Sequence, residues 1–221
     1  MNESAASAAS TDPPLPTSPP DHRCGTIHSG TVIRTLSGRY LDLLNTHPDD
    51  LLLDDIACGL GKECRFGNQI RRHYSVAEHS CRMAIAAQRL GYSRDHQFLC
   101  LLHDAPEAYL GDAPRPFKHL LGRAYHEVEA RLLDAIWRKF GPELPLDRMS
   151  EVTHDVMTLD NAMLHQERVE LMGHDGVEWS GERQAIRIGP ACPPLRCWDY
   201  DVAELSWRRE VAVLLCGEVA R

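Results

Sequence analysis

The chain has 221 residues with 43% hydrophobic content, enough to bury a core without cross-links. Its formal charge of -8 excludes the general basic face of a nucleic-acid-polymer binder. It leaves room for a small anionic substrate, because a metal and a few local cations can dominate the field inside a pocket.

In chain order, residues 1–22 (MNESAASAASTDPPLPTSPPDH) are small, polar and proline-rich, and read as a disordered tail preceding one domain over 23–221. Over 25–44, β-branched residues around Ser37-Gly38 predict a short hairpin, closed by His47-Pro48. Asp54 is placed to cap a helix running toward Cys64, weakened by Gly59 and Gly61. Ser75, with Glu78 three residues on, predicts a capping box opening a helix over 76–90 that stops at Gly91. Ser93 opens another helix, expected to run through Leu102 to about Tyr109 before Gly111, Pro114 and Pro116 break it. Ala124, Val128, Leu132, Ala135 and Ile136 recur at helical spacing as far as Gly141-Pro142. Ser150 is read as the start of a long helix ending at Met172, and 200–219 as a last helix. The expected fold class is all-α with a small β-hairpin near the N-terminus.

The eight cysteines form no C-x-x-C pair, and no secretory signal or apolar run of membrane-spanning length is present. Reduced, mostly buried thiols in a soluble cytoplasmic protein are expected. Trp137, Trp179, Trp198 and Trp207 read as core or subunit-contact residues.

Chemistry concentrates on the predicted third helix, where His103 and Asp104 follow an apolar run and Glu107 lies one turn further on. Burying an imidazole beside two carboxylates is costly unless a cation joins them. The dipeptide alone is weak evidence. Its weight comes from His79 on the preceding helix and Asp160 on the long one, which three packed helices can bring together.

The stretches DDIACGLGKECRFGNQIRRHYSVAEHS, LLHDAPEAYLGDAPRPFK and LDNAMLHQERVELM, in this order, resemble the HD-domain metal-dependent phosphohydrolases. The nearest branch is that of bacterial deoxynucleotide 5'-nucleotidases and phage deoxynucleotide triphosphohydrolases. The resemblance implies an HD-domain helical bundle with one divalent metal ion (Mn, Co, Zn, Fe or Mg) held by His79, His103, Asp104 and Asp160. It further implies that Glu107 positions or deprotonates the attacking water and that Asp112 protonates the leaving group. Lys118 and Arg65 match cations that meet phosphate or sugar. Met157 stands where some relatives carry a lysine one turn before the last aspartate, which counts against a triphosphate.

The residues alone leave other readings open. Arg65 can equally pair with Glu63 or Asp55, Lys118 can be a solvated lysine, and Asp112 an ordinary turn aspartate. Tyr109 and Phe117 read first as packing residues, and His73, His119 and His126 as solvated or satisfied. The leading expectation is dephosphorylation of (deoxy)nucleoside monophosphates, with triphosphate hydrolysis second. A nucleotide-binding regulator without turnover and a structural metal protein are the further alternatives. The expected partner is a small nucleotide rather than a nucleic-acid polymer or a membrane, and relatives are often homo-oligomers.

Overall fold

In the computed structural model of the chain, the residues described are 30–179 and 187–216. The proposed tail over 1–22 lies outside them. Two short antiparallel strands, β1 (Val32–Arg34) and β2 (Tyr40–Asp42), pair Ile33 with Leu41. The turn between them uses Gly38 at φ +87°, a conformation that favours glycine. Everything else regular among the described residues is helical: α1 (Leu53–Lys62), α2 (Val76–Arg89), α3 (Arg94–Leu102), α4 (Glu107–Leu110), α5 (Arg115–Leu121), α6 (Arg123–Phe140), α7 (Leu146–Met172) and α8 (Tyr200–Cys216), with short 3-10 turns between. No helix among these is long and apolar enough to cross a membrane.

The core is built where α2 packs along α3, with α7 and α8 against both and α1 against α8. Leu60, Met83, Leu101, Leu102, Leu132 and Trp207 are fully buried there, and the Trp207 indole N–H donates to the Leu101 carbonyl at 3.0 Å. Gly59 and Gly61, which weaken α1 by propensity, are where other elements touch it. A Cβ at Gly59 would lie 2.7 Å from Ala108 of α4, and one at Gly61 2.7 Å from the Tyr200 carbonyl at the start of α8.

Five expectations are corrected. The helix opened by Ser93 stops at Leu102, and Glu107 starts a separate helix. Pro106 has no N–H, and its ring clashes with the carbonyl four residues back, so the helix cannot pass through it. The long helix begins at Leu146, after Pro145, and Ser150 is interior. Asp54 is not a cap: Leu52 holds that position without a side-chain bond, and Asp54 and Asp55 lie in the first turn, where acids favour the dipole. The capping box is half formed. Ser75 Oγ accepts from the Glu78 N–H at 3.1 Å, but the Glu78 carboxylate accepts from the backbone N–H groups of Arg196, Cys197 and Trp198 instead. Three orphan donors outbid one. Between α4 and α6, α5 forms where only a proline break was expected, its fixed φ values suiting a helix start.

Candidate metal centre

The stop at Pro106 shapes the centre. His103 becomes the residue closing α3 and Asp104 the first beyond it, both turned toward the fully buried His79 of α2. His79 Nε2 lies 3.4 Å from His103 Nε2, and Asp104 Oδ2 lies 3.5 and 3.2 Å from these two nitrogens. From α7, Asp160 Oδ1 approaches the same two nitrogens at 3.3 and 3.9 Å. The structure thus brings together all four residues expected to surround an ion.

The donor set fits a cation. Neighbouring ligands about 2.0–2.2 Å from one metal stand about 2.8–3.6 Å apart at the angles of tetrahedral or octahedral coordination. His79, His103 and Asp104 form a group that could hold a metal ion. The outer nitrogens of both rings are already used, His79 Nδ1 by Glu167 at 2.8 Å and His103 Nδ1 by the Cys100 carbonyl at 2.9 Å. Each ring therefore carries its Nδ1 proton outward and turns Nε2 into the cluster, the arrangement that fixes a metal-binding tautomer. Two imidazole lone pairs meeting beside two carboxylates have no reason to converge without positive charge between them.

The electrostatics agree. Burial and the Arg65 charge push the His79 pKa down, yet Glu167 and the hydrogen bonds to Asp160 and Glu167 raise it to about 9. Against burial, the two histidines hold Asp160 down to about 2, and His103, with His79 and Arg65, holds Asp104 well below the usual carboxylate range. The pocket demands a positive charge, which a proton or a divalent ion can supply.

The two carboxyls expected to work beside the metal are shifted the other way. Burial first, then Asp104 and Asp112, raises Glu107 well above an ordinary glutamate, against the pull of Lys118 and Arg65. Glu107 Oε1 accepts from Lys118 Nζ at 3.0 Å, while buried Oε2 has no hydrogen-bond partner among the described residues. Asp112 is raised by burial and by Asp104, although Arg65 opposes both; its backbone N–H donates to Glu63 Oε1 at 3.0 Å.

Arg65 does not pair with Glu63 or Asp55. Its buried guanidinium meets Asp104 at 3.1 Å, Glu167 at 3.3 Å and Asp160 at 4.0 Å. The next three residues, Phe66, Gly67 and Asn68, all take left-handed φ near +60°, one tight turn that a Cβ on Gly67 would drive to 2.9 Å from Pro114. Lys118 is no solvated lysine, because it also bonds Glu129 at 2.6 Å. Met157 is exposed. Trp207 is a core residue, and the free cysteines at 58, 64, 81 and 100 are buried, as expected of reduced thiols.

Sequence reasoning missed Glu167, Glu129 and Arg115. Glu167 stands seven residues after Asp160, two helical turns along one face of α7, which was a readable signal. Arg115 reaches Asp160 Oδ2 at 3.3 Å and Asn161 at 2.9 Å from a helix that was itself unexpected.

No protein-family model matches the chain. An uncharacterized protein of Rhodobacter capsulatus, RCAP_rcc00048, is 36% identical over 149 residues, covering 66% of this chain and 75% of its own length. The uncharacterized protein YfdR of Escherichia coli K12 is 35% identical over 149 residues, covering 67% of this chain and 77% of its own. The chain belongs to the family that includes these two proteins.

Proposed function

We propose that the chain is an HD-domain metal-dependent phosphohydrolase that removes the 5'-phosphate from (deoxy)nucleoside monophosphates. The observation that carries this reading is the convergence of His79 Nε2 and His103 Nε2, 3.4 Å apart, with oxygens of Asp104 and Asp160 standing 3.2–3.9 Å from these nitrogens and both Nδ1 atoms already engaged. A divalent ion held by these four residues supplies Lewis acidity and lowers the pKa of water.

The chain's own residues account for the proton traffic. The unengaged Glu107 Oε2 is suited to hold a water and take its proton as oxygen attacks phosphorus. Burial and the neighbouring Asp104 and Asp112 raise its pKa, which makes its carboxylate form a stronger proton acceptor than an ordinary glutamate. Asp112, also raised, returns a proton to the 5'-oxygen as its bond to phosphorus breaks, leaving inorganic phosphate and a nucleoside. Lys118 and Arg115 offset charge on the phosphoryl oxygens. Both cations are already engaged by carboxylates, and Met157 adds none, which favours a monophosphate over a triphosphate.

The test is a screen of purified protein with nucleoside mono- and triphosphates in Mn, Co, Mg or Zn. Phosphate release from monophosphates is expected, abolished in His103→Ala and Asp104→Ala with helical content retained, while Glu107→Ala keeps the metal and loses turnover. Release of triphosphate indicates the second activity, and tight nucleotide binding without product indicates a regulator. Full activity in either ligand variant sinks the assignment.

A further inference from the structure

An imidazole that ligates through Nε2 needs a partner on Nδ1, and the partner's charge sets how basic the ligating nitrogen is. For His103 that partner is a neutral carbonyl, whereas for His79 it is the fully buried carboxylate of Glu167. Glu167 Oε1 also accepts from the Tyr74 hydroxyl at 2.5 Å, and Oε2 stands in an ion pair with Arg65 Nε at 3.3 Å without the geometry of a hydrogen bond. Arg65 continues to Asp104 Oδ2 at 3.1 Å.

A glutamate present only to neutralise buried Arg82 would sit on Arg82. Instead Arg82 finds its closest carboxylate in Glu170 at 2.6 Å and stands 3.7 Å from Glu167, whose own shortest contacts are Tyr74 and His79. Building on the reading of the centre as a metal site, we propose that Glu167 is its positioning residue. It holds the proton of His79 on Nδ1 and, through Arg65, fixes the carboxylate of Asp104, so one buried side chain orients two ligands on different helices. Arg65 is then a bridge within the protein, and its contact with Asp104 is kept whether or not substrate is bound.

The test compares the wild-type chain and Glu167→Gln, each titrated with Zn²⁺ and followed by nitrogen-15 NMR of the histidine rings. Glutamine keeps the size and an acceptor, but its NH2 can turn to the ring and release the lock. The expected wild-type signature is Zn²⁺ on His79 Nε2 with a slowly exchanging proton on Nδ1. In Glu167→Gln that proton exchanges faster and Zn²⁺ affinity falls about 10- to 100-fold, the usual range for losing such a partner. Unchanged affinity with unchanged exchange overturns the proposal. Should the variant fail to fold, the wild-type spectrum decides: Zn²⁺ on Nδ1, or no protected Nδ1 proton, overturns it equally. A chain that shows the expected zinc behaviour yet hydrolyses no nucleotide refutes the phosphohydrolase reading and leaves the role of Glu167 standing. Nucleotide hydrolysis with unaltered zinc behaviour in the variant does the reverse.

Discussion

Gly59→Ala sets two effects of known sign against each other. Alanine in a helix interior is favoured over glycine by about 1 kcal/mol, so propensity alone predicts a more stable α1. The new Cβ, however, meets Ala108 Cβ and the Ala108 carbonyl at 2.7 Å and its Cα at 2.8 Å. Carbon contacts relax to about 3.5–4.0 Å, so α4 must move by about 1 Å, and overpacking of this kind costs about 1–3 kcal/mol. Backbone is the obstacle, and it cannot rotate away. The expected net loss is about 0–2 kcal/mol, a fall in Tm of up to about 8 °C for a domain of this size. Because α4 begins with Glu107, nucleotide turnover falls as well. Gly61→Ala provides the comparison, since its Cβ presses on the Tyr200 carbonyl and Glu204 of α8, lowering Tm while sparing turnover. Thermal melts and initial rates of both variants decide the matter. A Gly59→Ala protein with a raised Tm shows that propensity wins and that the α1–α4 approach is looser than described.

Lys118→Met leaves Glu107 and Glu129 without their shared cation, and a loss of about 1–3 kcal/mol in urea unfolding is expected, below that of a fully buried pair because Lys118 is partly exposed. Glu78→Ala orphans the N–H groups of Arg196, Cys197 and Trp198. At about 1 kcal/mol or more for each donor left unpaired, it is expected to cost about 2–4 kcal/mol, with faster hydrogen exchange at 196–198 as the local readout. Thiol labelling carries the pH dependence. Burial raises Cys192 to about 11 and lifts Cys81 and Cys100 well above a free thiol, so their thiolate fraction at pH 8 is below that of an exposed cysteine. Among the described cysteines, maleimide is expected to react first at exposed Cys216, with Cys192 gaining rate as pH rises toward 11. Equal rates at Cys81 and Cys216 in the folded protein contradict the burial assignment.

Periodicity and punctuation made most of the fold legible. Gly91, Gly141 and Gly173 end helices where the pattern predicted, and Ser37-Gly38 makes the hairpin turn. Two of the errors in helix bounds came from prolines weighed against the wrong residue. Pro106 was passed over just beyond an apolar run, and Pro145 lost to Ser150 as a helix start, although fixed φ makes proline the stronger signal at both. The four clustered residues were legible from the ordered motifs of the resemblance, with His103-Asp104 after an apolar run as the local signal. Of their supports, Glu167 left only its seven-residue spacing from Asp160 as a signal, because burial of a helix glutamate is decided by tertiary packing. Glu78 is the same lesson in reverse: its local capping partner was plain, and three distant backbone donors outweighed it.

The break at Pro106 also divides the centre by stability. His79, His103 and Asp160 lie on or at the end of α2, α3 and α7, whose buried faces form the core, so their geometry is as rigid as the fold. Glu107, Asp112, Arg115 and Lys118 belong to two short helices and the loop between them, and α5 has no fully buried residue. A helix of four or seven residues has little stability of its own and takes its position from contacts such as Gly59 with Ala108. On the proposed function, ion binding and phosphate handling are therefore separable: damage to α4 or α5 is expected to erode turnover while leaving ion binding in place, whereas damage to the core helices is expected to remove both. Had His103, Asp104 and Glu107 shared one continuous helix, as the sequence first suggested, Glu107 would be expected to fail together with the two ion-binding residues.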